Sequence, residues 1–567
     1  MDREALEKRK KIVYEFICDD LYVPMKAKEI AMILQVSKEQ REELHAVLDA
    51  LLEEGKVELT QKGKYVKASG RFLTGVYTGN SRGFGFVTVE GEEEDIYIPE
   101  ENTNGAMHMD TVSVAVNPQK TGKRREGRII KIISRGLHQI VGTYQSSKNF
   151  GFVVPDNQKL AQDIFIPIER SKGAVDGHKV VVEITDYGKN GKKPEGKIVE
   201  ILGHINDPGT DILSIVRGFD LPTEFAPKIM KQVENVAKEV SEADMAGRED
   251  LRDWQMVTID GEDSKDLDDA VSLTMDGENY ILGVHIADVS HYVPGGSATD
   301  AEAYLRGNSI YFVDQVVPML PQILSNGACS LQAGAERYAL SAMITLDRDG
   351  AITGCTLHES VICSAIRGVY SELNDVLQQG SRSAFYPKYA LLFPKTLPTM
   401  VELYEILAQK HRSAGALDFE TPESQFILGP DGTVQQILPV VRGTSERLIE
   451  QFMLCANEAV AAFLHSKGLP CIYRVHAVPD QDRMQAFILL AHACGLDVRG
   501  VNSAQITALQ VQHLMAQAKQ KNLASALDPV LLRSLAKAKY ASTPSGHFGL
   551  ATAIYCHFTS PIRRYSD

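Results

Sequence analysis

The 567-residue sequence predicts a multidomain α+β protein with an N-terminal winged helix, two small β-barrels and a mixed α/β domain after them. The first observation behind this fold class is length, since domains usually hold about 100–200 residues and one core cannot serve the whole chain. The second is a pattern of about 68 residues that occurs twice. The third is a set of strand-like and helical segments after the repeats. The predicted domains are 1–68, 70–136, 137–205 and 206–567.

Composition excludes several classes of protein. Hydrophobic residues make up 44% and charged residues 24% of the chain, which are ordinary values for a globular protein. No run approaches the ~18 uninterrupted apolar residues of a membrane helix, and the charged start lacks the apolar core of a signal peptide. The eight cysteines form no CxxC pair, so we expect reduced thiols in a cytoplasmic protein rather than a disulfide framework or zinc site. The net charge of −14 argues against wholesale coating of nucleic acid, although a local basic patch can still bind it.

Residues 24–67 show the pattern of a winged helix-turn-helix. The apolar positions that recur at helical spacing in the longer helical segment are Leu44, Val47, Leu48 and Leu51. Ser37 and Gln40 have the spacing of a capping box at the start of this helix, and Gly55 fits its end. A strand pattern around a Lys-Gly turn follows as the wing. Such folds contact nucleic acid in some proteins and only protein in others, and both roles stay open.

The repeat consists of short strands separated by glycine and polar turns. "RGFGFVTVE" at 82–90 is matched by "KNFGFVVPD" at 148–156, and "DIYIPEEN" at 95–102 is matched by "DIFIPIER" at 163–170. Each copy is predicted to form five strands, the number and length of an OB-fold.

Aromatic residues occupy matching positions in the two copies: Phe84, Phe86 and Tyr97 in the first, and Phe150, Phe152 and Phe165 in the second. Rings two residues apart on a strand share one face. Stacking of a nucleobase on such a ring contributes about 1–3 kcal/mol of binding free energy, whichever base it is. The rings belong either to the core or to an exposed platform. The glycine between the phenylalanines, with Arg82 or Lys148 beside them, favours the platform. In these residues the copies resemble the RNA-binding motifs of cold-shock domains.

Two basic segments lie in or between the repeats. Residues 120–135 contain seven basic residues and one acid, and they form either a solvated face or a track for phosphates. "GKKPEGKI" at 191–198 nearly matches the phosphate-binding loop of ATPases. It lacks the hydroxyl that holds magnesium and corresponds to a strand of the first repeat, so we exclude an ATPase.

The segment "DGEDSKDLDD" at 260–269 contains six carboxylates and one opposing lysine. The apolar run "MVTI" precedes it and a predicted hairpin follows it, so a sheet holds both of its ends. A calcium EF-hand is excluded, because Lys265 stands at the third position counted from Asp263 and the sixth position is not glycine. Either the loop is simply solvated or it binds a cation. Its carboxylates at offsets 0, 6, 8 and 9 suit Mg²⁺, which can polarise a phosphodiester and generate a hydroxide nucleophile.

"TIDGEDSKDLDDAVSL" together with "HFTSPIRRYSD" at 557–567 resembles the ribonuclease II family of exoribonucleases. The order of parts is similar to the bacterial ribonuclease R branch of that family, and the resemblance covers nearly the whole chain. It implies a ribonuclease II-type catalytic domain. It also implies processive 3′→5′ hydrolysis of RNA, structured RNA included, to nucleoside 5′-monophosphates with one or two Mg²⁺ ions.

The resemblance also implies roles for individual residues. The metal site would comprise Asp260, Asp266, Asp268 and Asp269, with Asp260 and Asp269 as direct ligands. Asp268 would be the residue most needed for cleavage, Asp266 would support the second metal or the water, and Arg563 would grip the scissile phosphate.

Four further residues resemble RNA contacts of the family. Tyr311 and Phe419 would stack on bases at the two ends of the buried RNA segment. Tyr370 and Glu450 would read the ribose 2′-OH, which both donates and accepts hydrogen bonds. Helical patterns over residues 500–540 predict helices packed around the acidic site, forming a narrow channel.

The partners implied are single-stranded RNA and RNA with 3′ overhangs, together with ribosomes or RNA-decay proteins, and we expect a monomer without membrane contact. The family pattern continues beyond Asp567 with further helices and a third OB-type domain, so we expect a fragment or a truncated chain. One alternative is a non-catalytic cold-shock-type RNA-binding protein or RNA chaperone. Another is a winged-helix transcription regulator, which would leave 350 residues without a function.

Overall fold

The computed structural model describes residues 3–567 apart from 20, 54–55, 61–62, 68–70, 93, 118–124, 189–191, 393 and 420–422. The chain divides into two compact units, Met1–Leu221 and Pro222–Asp567. No helix within these described ranges is long and apolar enough to span a membrane.

The first unit begins with a helical domain and a two-stranded wing. Its elements are α1 (Arg3–Ile17), α2 (Ala27–Ile33), α3 (Arg41–Glu53), β1 (Val57–Leu59) and β2 (Tyr65–Lys67). The predicted apolar stripe of α3 is confirmed, because Leu44, Val47, Leu48 and Leu51 are all buried. They pack with Val13 and Ile17 of α1, a helix that the sequence analysis did not predict.

The capping box predicted at the start of α3 is wrong. Ser37 precedes a short 3₁₀ turn at Lys38–Gln40 and its side chain makes no capping hydrogen bond. Helix α3 begins only at Arg41, so the donors that a capping oxygen would accept from lie beyond the reach of Ser37. The predicted helix end at Gly55 and the lysine of the wing turn lie outside the described residues.

The two repeats form two five-stranded β structures, as predicted. The first contains β3 (Arg71–Gly79), β4 (Gly85–Thr88), β5 (Ile96–Ile98), β6 (Thr111–Val116) and β7 (Gly127–Ser134), in the order β5-β4-β3-β6-β7. A bridge between Tyr97 and Glu126 brings its edges together. The second contains β8 (Gln139–Ser146), β9 (Phe150–Pro155), β10 (Ile164–Pro167), β11 (His178–Asp186) and β12 (Glu195–His204), closed into a barrel. Helix α4 (Thr210–Gly218) packs on β8 and β12.

The glycine between the paired phenylalanines has the same structural cause in both repeats. A Cβ at Gly85 would lie 2.4 Å from the ring of Tyr77, and a Cβ at Gly151 would lie 2.3 Å from the ring of Tyr144. Both tyrosines are buried in their barrels. Because the inward tyrosine fills the space of the missing side chain, only the flanking phenylalanines project outward.

Two arginines of the basic segment 120–135 are structural in this unit. Arg125 pairs with Glu92 at 2.7 Å, and Arg135 pairs with the buried carboxylate of Asp110 at 2.6 Å. The guanidinium of Arg135 also lies 4.0 Å over the ring of Tyr187 in the second barrel. Of the basic side chains in this segment that the structure describes, Arg128 and Lys131 are exposed. Residues 120–124 lie outside the described residues, so the phosphate track stays a prediction.

The second unit is built around a seven-stranded mixed sheet. Its strands are β13 (Glu249–Asp250), β14 (Met256–Asp260), β15 (Asp269–Asp276), β16 (Asn279–Ala287), β19 (Glu336–Leu346), β20 (Ile352–Cys363) and β21 (Ile366–Val369). They lie in the order β13-β20-β19-β16-β15-β14-β21. Three two-stranded sheets accompany it: β17 (Ile310–Tyr311) with β18 (Val316–Val317), β22 (Ser424–Leu428) with β23 (Val434–Pro439), and β24 (Tyr473–Val475) with β25 (Lys539–Ala541).

Helices of the second unit cover the large sheet and extend beyond it. They are α5 (Pro227–Val236), α6 (Val289–Tyr292), α7 (Ala298–Arg306), α8 (Tyr370–Gln379), α9 (Tyr386–Tyr389), α10 (Thr396–Ala414), α11 (Thr444–Ser466), α12 (Gln481–Ala493), α13 (Ala508–Gln520) and α14 (Ala524–Ser534). The largest apolar core lies between the sheet and α8, α10 and α11, where Val284, Leu403 and Phe452 are fully buried. Side chains of β14, β15 and β16 are buried in continuous runs, so both faces of the sheet are covered in its centre.

Candidate active site

The acidic segment connects two neighbouring strands, as the sequence predicted. β14 and β15 run antiparallel with Met256 opposite Ser272, and Asp260 ends the first strand while Asp269 begins the second. The predicted hairpin of β15 and β16 is also confirmed, with a turn at Gly277, whose φ of 59° favours glycine. Residues 261–268 therefore form a loop held at both ends by the sheet.

Ser330 anchors the second half of this loop. Its hydroxyl donates to the carbonyl of Lys265 at 2.7 Å and accepts from the main-chain N–H of Leu267 at 3.2 Å. The N–H of Ala287 in turn donates to the carbonyl of Asp268 at 2.9 Å. Glu262 and Asp263 are exposed, so two of the six carboxylates face solvent, while Asp266 and Asp268 lie on the loop between the strand ends that carry Asp260 and Asp269.

Asp268 is 5% exposed and has two partners from a distant segment. Its Oδ1 accepts from the N–H of Ile562 at 2.8 Å, and its Oδ2 lies 3.6 Å from Nε of Arg563. Burial raises the pKa of Asp268 to about 8, against the opposing effects of the Ile562 N–H and Arg563. The side chain is therefore fixed in direction, and its surroundings offset only part of the cost of placing a negative charge there.

Asp260 and Asp269 also have raised pKa values. Burial, and then the neighbouring carboxylate of Asp266, raises the pKa of Asp260 to about 6. Burial, and then Asp260 and Asp268, raises the pKa of Asp269 well above its usual range. Oδ2 of Asp260 is buried and has no hydrogen-bond partner. Like charges in a buried site favour either a proton or a cation between them.

Two tyrosines, Tyr311 and Tyr370, lie near the aspartate cluster. The hydroxyl of Tyr311 donates to Oδ2 of Asp266 at 2.5 Å, while about half of this side chain, 49%, remains exposed. Tyr370 begins α8, directly after β21. Burial, and then the carboxylates of Asp260 and Asp269, raises the pKa of the Tyr370 hydroxyl, which places this phenol within their electrostatic reach.

The segment that carries Arg563 is positioned by Asn457, a buried residue of α11 that the sequence analysis missed. Oδ1 of Asn457 accepts from the N–H of Phe558 at 2.8 Å, and its Nδ2 donates to the hydroxyl of Tyr555 at 3.1 Å. Arg563 donates to Oγ of Ser560 at 3.1 Å, and 45% of its side chain is exposed. It can therefore reach a bound ligand while its backbone is held in place.

Phe419 and Glu450 lie apart from this cluster, on a cavity of about 990 Å³. Among the described residues that line this cavity, none is Asp260, Asp266, Asp268 or Asp269. Glu450 pairs with Arg442 at 3.4 Å, and burial is the main cause that raises its pKa. Helices α13 and α14, predicted from residues 500–540, pack with α12 and line this same cavity. Tyr370 has Glu446, rather than Glu450, as its carboxylate neighbour on α11. The structure thus groups Phe419 with Glu450, and Tyr370 with the aspartates.

The chemistry of the aspartate cluster fits a hard divalent cation, which prefers oxygen ligands. The raised pKa values of three carboxylates and the unpartnered Oδ2 of Asp260 show that the site lacks the positive charge needed to keep these groups ionised. Among the described residues, no group of three or more His, Cys, Asp or Glu side chains is placed so that it could hold a metal ion by itself. A cation here would therefore take part of its ligands from water or substrate.

The predicted platform residues form two groups of three rings on the first unit. In the first group, ring centroids of Phe84, Phe86 and Tyr97 lie 5.6–5.9 Å apart. In the second, those of Phe150, Phe152 and Phe165 lie 5.4–5.8 Å apart. None of the six belongs to the buried cores of the barrels, and all are at least partly exposed.

Comparison with known proteins identifies the family. The RNB domain model matches residues 248–567, the range that contains all four aspartates and Arg563. Ribonuclease R of Thermotoga maritima is 40% identical over 564 residues, which cover 99% of this chain and 78% of that protein. This chain belongs to the ribonuclease R family.

Other ribonuclease R proteins and domain models agree. Ribonuclease R of Escherichia coli is 35% identical over 561 residues, which cover 98% of this chain and 68% of that protein. The Ribonuclease B OB domain model matches residues 75–132, and the cold shock domain model matches residues 152–226. Mycoplasma genitalium RNase R, solved in complex with ribose methylated single-stranded RNA, superposes with a TM-score of 0.80 at 27% identity. The match covers 87% of this chain and 78% of that one.

Membership of the ribonuclease R family confirms two predictions. The fold class is as expected, with OB and cold shock domains before a mixed α/β catalytic domain. The chain is a 3′→5′ exoribonuclease. The exact domain boundaries and the roles of individual site residues stay predictions.

Proposed function

We propose that this ribonuclease R family member hydrolyses RNA processively to nucleoside 5′-monophosphates, with structured RNA among its substrates, at the aspartate cluster of loop 260–269. The observation that supports this most directly is the arrangement of Asp268, whose carboxylate is fixed by the N–H of Ile562 and lies 3.6 Å from Arg563. A fixed acid beside a half-exposed guanidinium suits a phosphodiester held between them.

The family is typically metal-dependent, and Mg²⁺ suits this donor set. Asp260 and Asp269 would be its direct ligands, with Asp266 and Asp268 completing the acidic environment. When bound, Mg²⁺ polarises the phosphate and lowers the pKa of a water molecule. The unpartnered Oδ2 of Asp260 supports this assignment, because a buried carboxylate oxygen without a donor is costly.

Arg563 would bind the non-bridging oxygens of the scissile phosphate. Its guanidinium presents a planar set of N–H donors, and its charge offsets the charge that builds on the phosphoryl group. The contact between Arg563 and Ser560 limits the freedom of the side chain, so less conformational entropy is lost when the phosphate binds.

Tyr311 and Phe419 would stack on bases, and Tyr370 and Glu450 would read the ribose. The exposed half of the Tyr311 ring and the position of Phe419 on the cavity support the stacking roles. For Tyr370, its place near Asp260 and Asp269 supports a contact with the sugar next to the scissile bond. Glu450 would act further along the strand, in the cavity it shares with Phe419.

The two three-ring platforms would bind single strands before they reach the active site, and RNA with 3′ overhangs would be a substrate. The solved relative from Mycoplasma genitalium holds single-stranded RNA in one complex and double-stranded RNA in another. We further propose a cytoplasmic monomer that meets ribosomes or RNA-decay proteins.

The test uses one RNA labelled at either end, with Mg²⁺. A 3′ label should be released at once as a nucleoside 5′-monophosphate, whereas a 5′ label should remain on the shortening chain. Asp268→Asn should abolish release while RNA binding persists, and Asp263→Asn, which changes an exposed carboxylate of the same loop, should behave as the unmodified protein. Absence of monophosphate from the unmodified protein would refute the proposal.

The alternative of a non-catalytic RNA-binding protein or chaperone is not favoured. All four aspartates and Arg563 are present, and Asp268 lies in contact with both the N–H of Ile562 and the guanidinium of Arg563. RNA binding without release of any nucleotide is the result that would favour the alternative.

A further inference from the structure

Arg367 lies next to the strand that ends at Asp260. β21 runs parallel to β14, with Arg367 opposite Thr258 and Val369 opposite Asp260. Nη2 of Arg367 donates to the main-chain carbonyl of Glu262 at 2.6 Å and to that of Ser264 at 2.8 Å. One guanidinium therefore holds two carbonyls of the acidic loop.

The charge of Arg367 also opposes the effect of burial on the carboxylates of Asp260 and Glu372, but its hydrogen bonds in the described structure go to these two loop carbonyls. Its Nε is buried without a hydrogen-bond partner. Such burial costs free energy, and the two hydrogen bonds of Nη2 offset part of that cost. Arginine suits this place because its charge persists at all ordinary pH values and its donors diverge in a fixed plane. Lysine would offer donors on a flexible stem instead.

The loop is thus divided between two anchors. Ser330 holds Lys265 and Leu267 in the second half, and Arg367 holds residues 262–264 in the first half. The path between Asp260 and Asp266 passes through residues 262–264, held by Arg367, and then through Lys265, held by Ser330. The spacing of these two carboxylates consequently depends on Arg367 together with Ser330.

We propose that Arg367 is a positioning residue that fixes loop residues 262–264 and so sets the spacing of Asp260 and Asp266 for the bound metal ion. This inference rests on the proposed function, since it concerns the proposed metal site. In this proposal Arg367 acts through the loop backbone, to which it donates at Glu262 and Ser264, rather than as a ligand of the ion. Partners of this kind around metal ligands typically contribute about 10–100-fold to metal affinity or activity.

The same strand connects the loop to Tyr370. β21 ends at Val369, whose N–H donates to the hydroxyl of Tyr389 at 2.9 Å, and that hydroxyl donates to Glu372 at 2.8 Å. Tyr370 follows immediately as the first residue of α8. Arg367 therefore ties the proposed metal ligands and the proposed ribose contact to one short segment.

The direct test measures binding of Mn²⁺ alone, by electron paramagnetic resonance, to the full chain. Arg367→Gln should bind Mn²⁺ at least about tenfold more weakly, and Arg367→Lys should lie between it and the unmodified protein. Arg348→Gln is the matched control, because Arg348 pairs with Glu278 at 2.6 Å on the exposed surface of the same unit. Unchanged Mn²⁺ affinity in Arg367→Gln would overturn the proposal.

Cleavage assays separate positioning from general damage. In Arg367→Gln the Mg²⁺ concentration for half-maximal rate should rise while the KM for RNA stays unchanged, and excess Mg²⁺ should restore much of the rate. A loss of rate that Mg²⁺ does not restore, in a folded variant, would contradict the proposal. If Arg367→Gln does not fold, Arg367→Lys decides by the same measurements. An unmodified protein that releases no monophosphate would instead refute the proposed function.

Discussion

The hydroxyl of Tyr311 donates a hydrogen bond of 2.5 Å to Oδ2 of Asp266. Burial, and then this hydrogen bond, raises the pKa of Tyr311, so the phenol stays protonated and remains a donor. Tyr311 therefore has two separable features, an exposed ring face and a hydroxyl fixed to a carboxylate of the acidic loop.

Replacing Tyr311 by phenylalanine should separate these features. Tyr311→Phe keeps the ring and removes a hydrogen bond to a charged group, worth about 1.5–3 kcal/mol, so kcat should fall roughly tenfold or more while RNA affinity is kept. Tyr311→Ala should lower both. Single-turnover cleavage and equilibrium binding measured on the same RNA distinguish the two variants. Equal loss of RNA affinity in both would mean that the hydroxyl, rather than the ring, holds the RNA.

Removal of the Asn457 amide should destabilise the catalytic unit. Asn457→Ala leaves the buried N–H of Phe558 without an acceptor and removes the bond to Tyr555, which should lower the free energy of unfolding by about 2–4 kcal/mol. Chemical denaturation measures the change, with Asn279→Ala at the exposed first position of β16 as control. Activity well below the unfolding temperature should also fall, because the segment with Arg563 loses its anchor. Full activity there would contradict the positioning role of Asn457.

We expect the folded protein to become less stable as the pH falls, because of His285. This side chain is fully buried between Ser272 and Ser341, and burial lowers its pKa to about 4. The unfolded chain binds a proton near pH 6.5 and the folded chain only near pH 4, so acidification within this window favours unfolding. By pH 5 the loss should reach about 2 kcal/mol.

Denaturation curves at pH 7.5 and pH 5 measure this loss. His285→Gln should lose less stability between the two pH values than the unmodified protein, whereas replacement of the exposed His492 should leave the difference unchanged. A pH dependence that His285→Gln does not alter would show that other groups cause it.

The three-ring platform of the second barrel should contribute to RNA affinity. Phe165→Ala should weaken binding of single-stranded RNA by about 1–3 kcal/mol, the value of one stacked base. Phe219→Ala is the matched control, since Phe219 is 77% exposed on the same unit but lies outside the platform. Filter binding or fluorescence anisotropy gives both affinities. Equal effects of the two substitutions would argue against a specific platform.

Tyr370→Phe should reduce discrimination between RNA and DNA. Loss of one neutral hydrogen bond to a 2′-OH is worth about 0.5–1.5 kcal/mol, so the ratio of RNA to DNA cleavage rates should fall by roughly 3–10-fold. Competition between matched RNA and DNA strands measures the ratio. An unchanged ratio would assign the recognition of ribose to other residues.

Local sequence patterns predicted the parts of the molecule that depend on neighbours in the chain. The apolar run "MVTI" predicted β14, and alternation around a "DGEN" turn predicted β15 and β16, although all three strands are buried in continuous runs. The repeat predicted ten strands at once. The stripe of α3 followed from helical spacing in the same way. Helix α1 had a weaker signal, the spacing of Val13 and Ile17 within a charged segment, and was missed.

Contacts between distant segments could not be predicted from the residues alone. Tyr311 and Asp266 are 45 positions apart, and Asn457 and Phe558 are 101 positions apart. Arg367 and Ser330 resemble ordinary strand and loop residues until the acidic loop folds against them. Charge alone was also an incomplete guide in the basic segment 120–135. It predicted a surface for phosphates, whereas Arg125 and Arg135 pair with Glu92 and Asp110 of the first unit.

The hydrogen bond from Ile562 to Asp268 also dictates the order in which the site is completed during synthesis. The two residues are separated by 294 positions, which a ribosome needs roughly 15–60 s to translate at about 5–20 residues per second. The acidic loop leaves the ribosome long before its last donor and its arginine exist. A nascent chain that has emerged only as far as the acidic loop therefore carries the four aspartates without the Ile562 N–H and Arg563, so the cluster is completed only after residues 562–563 are made and fold against the loop.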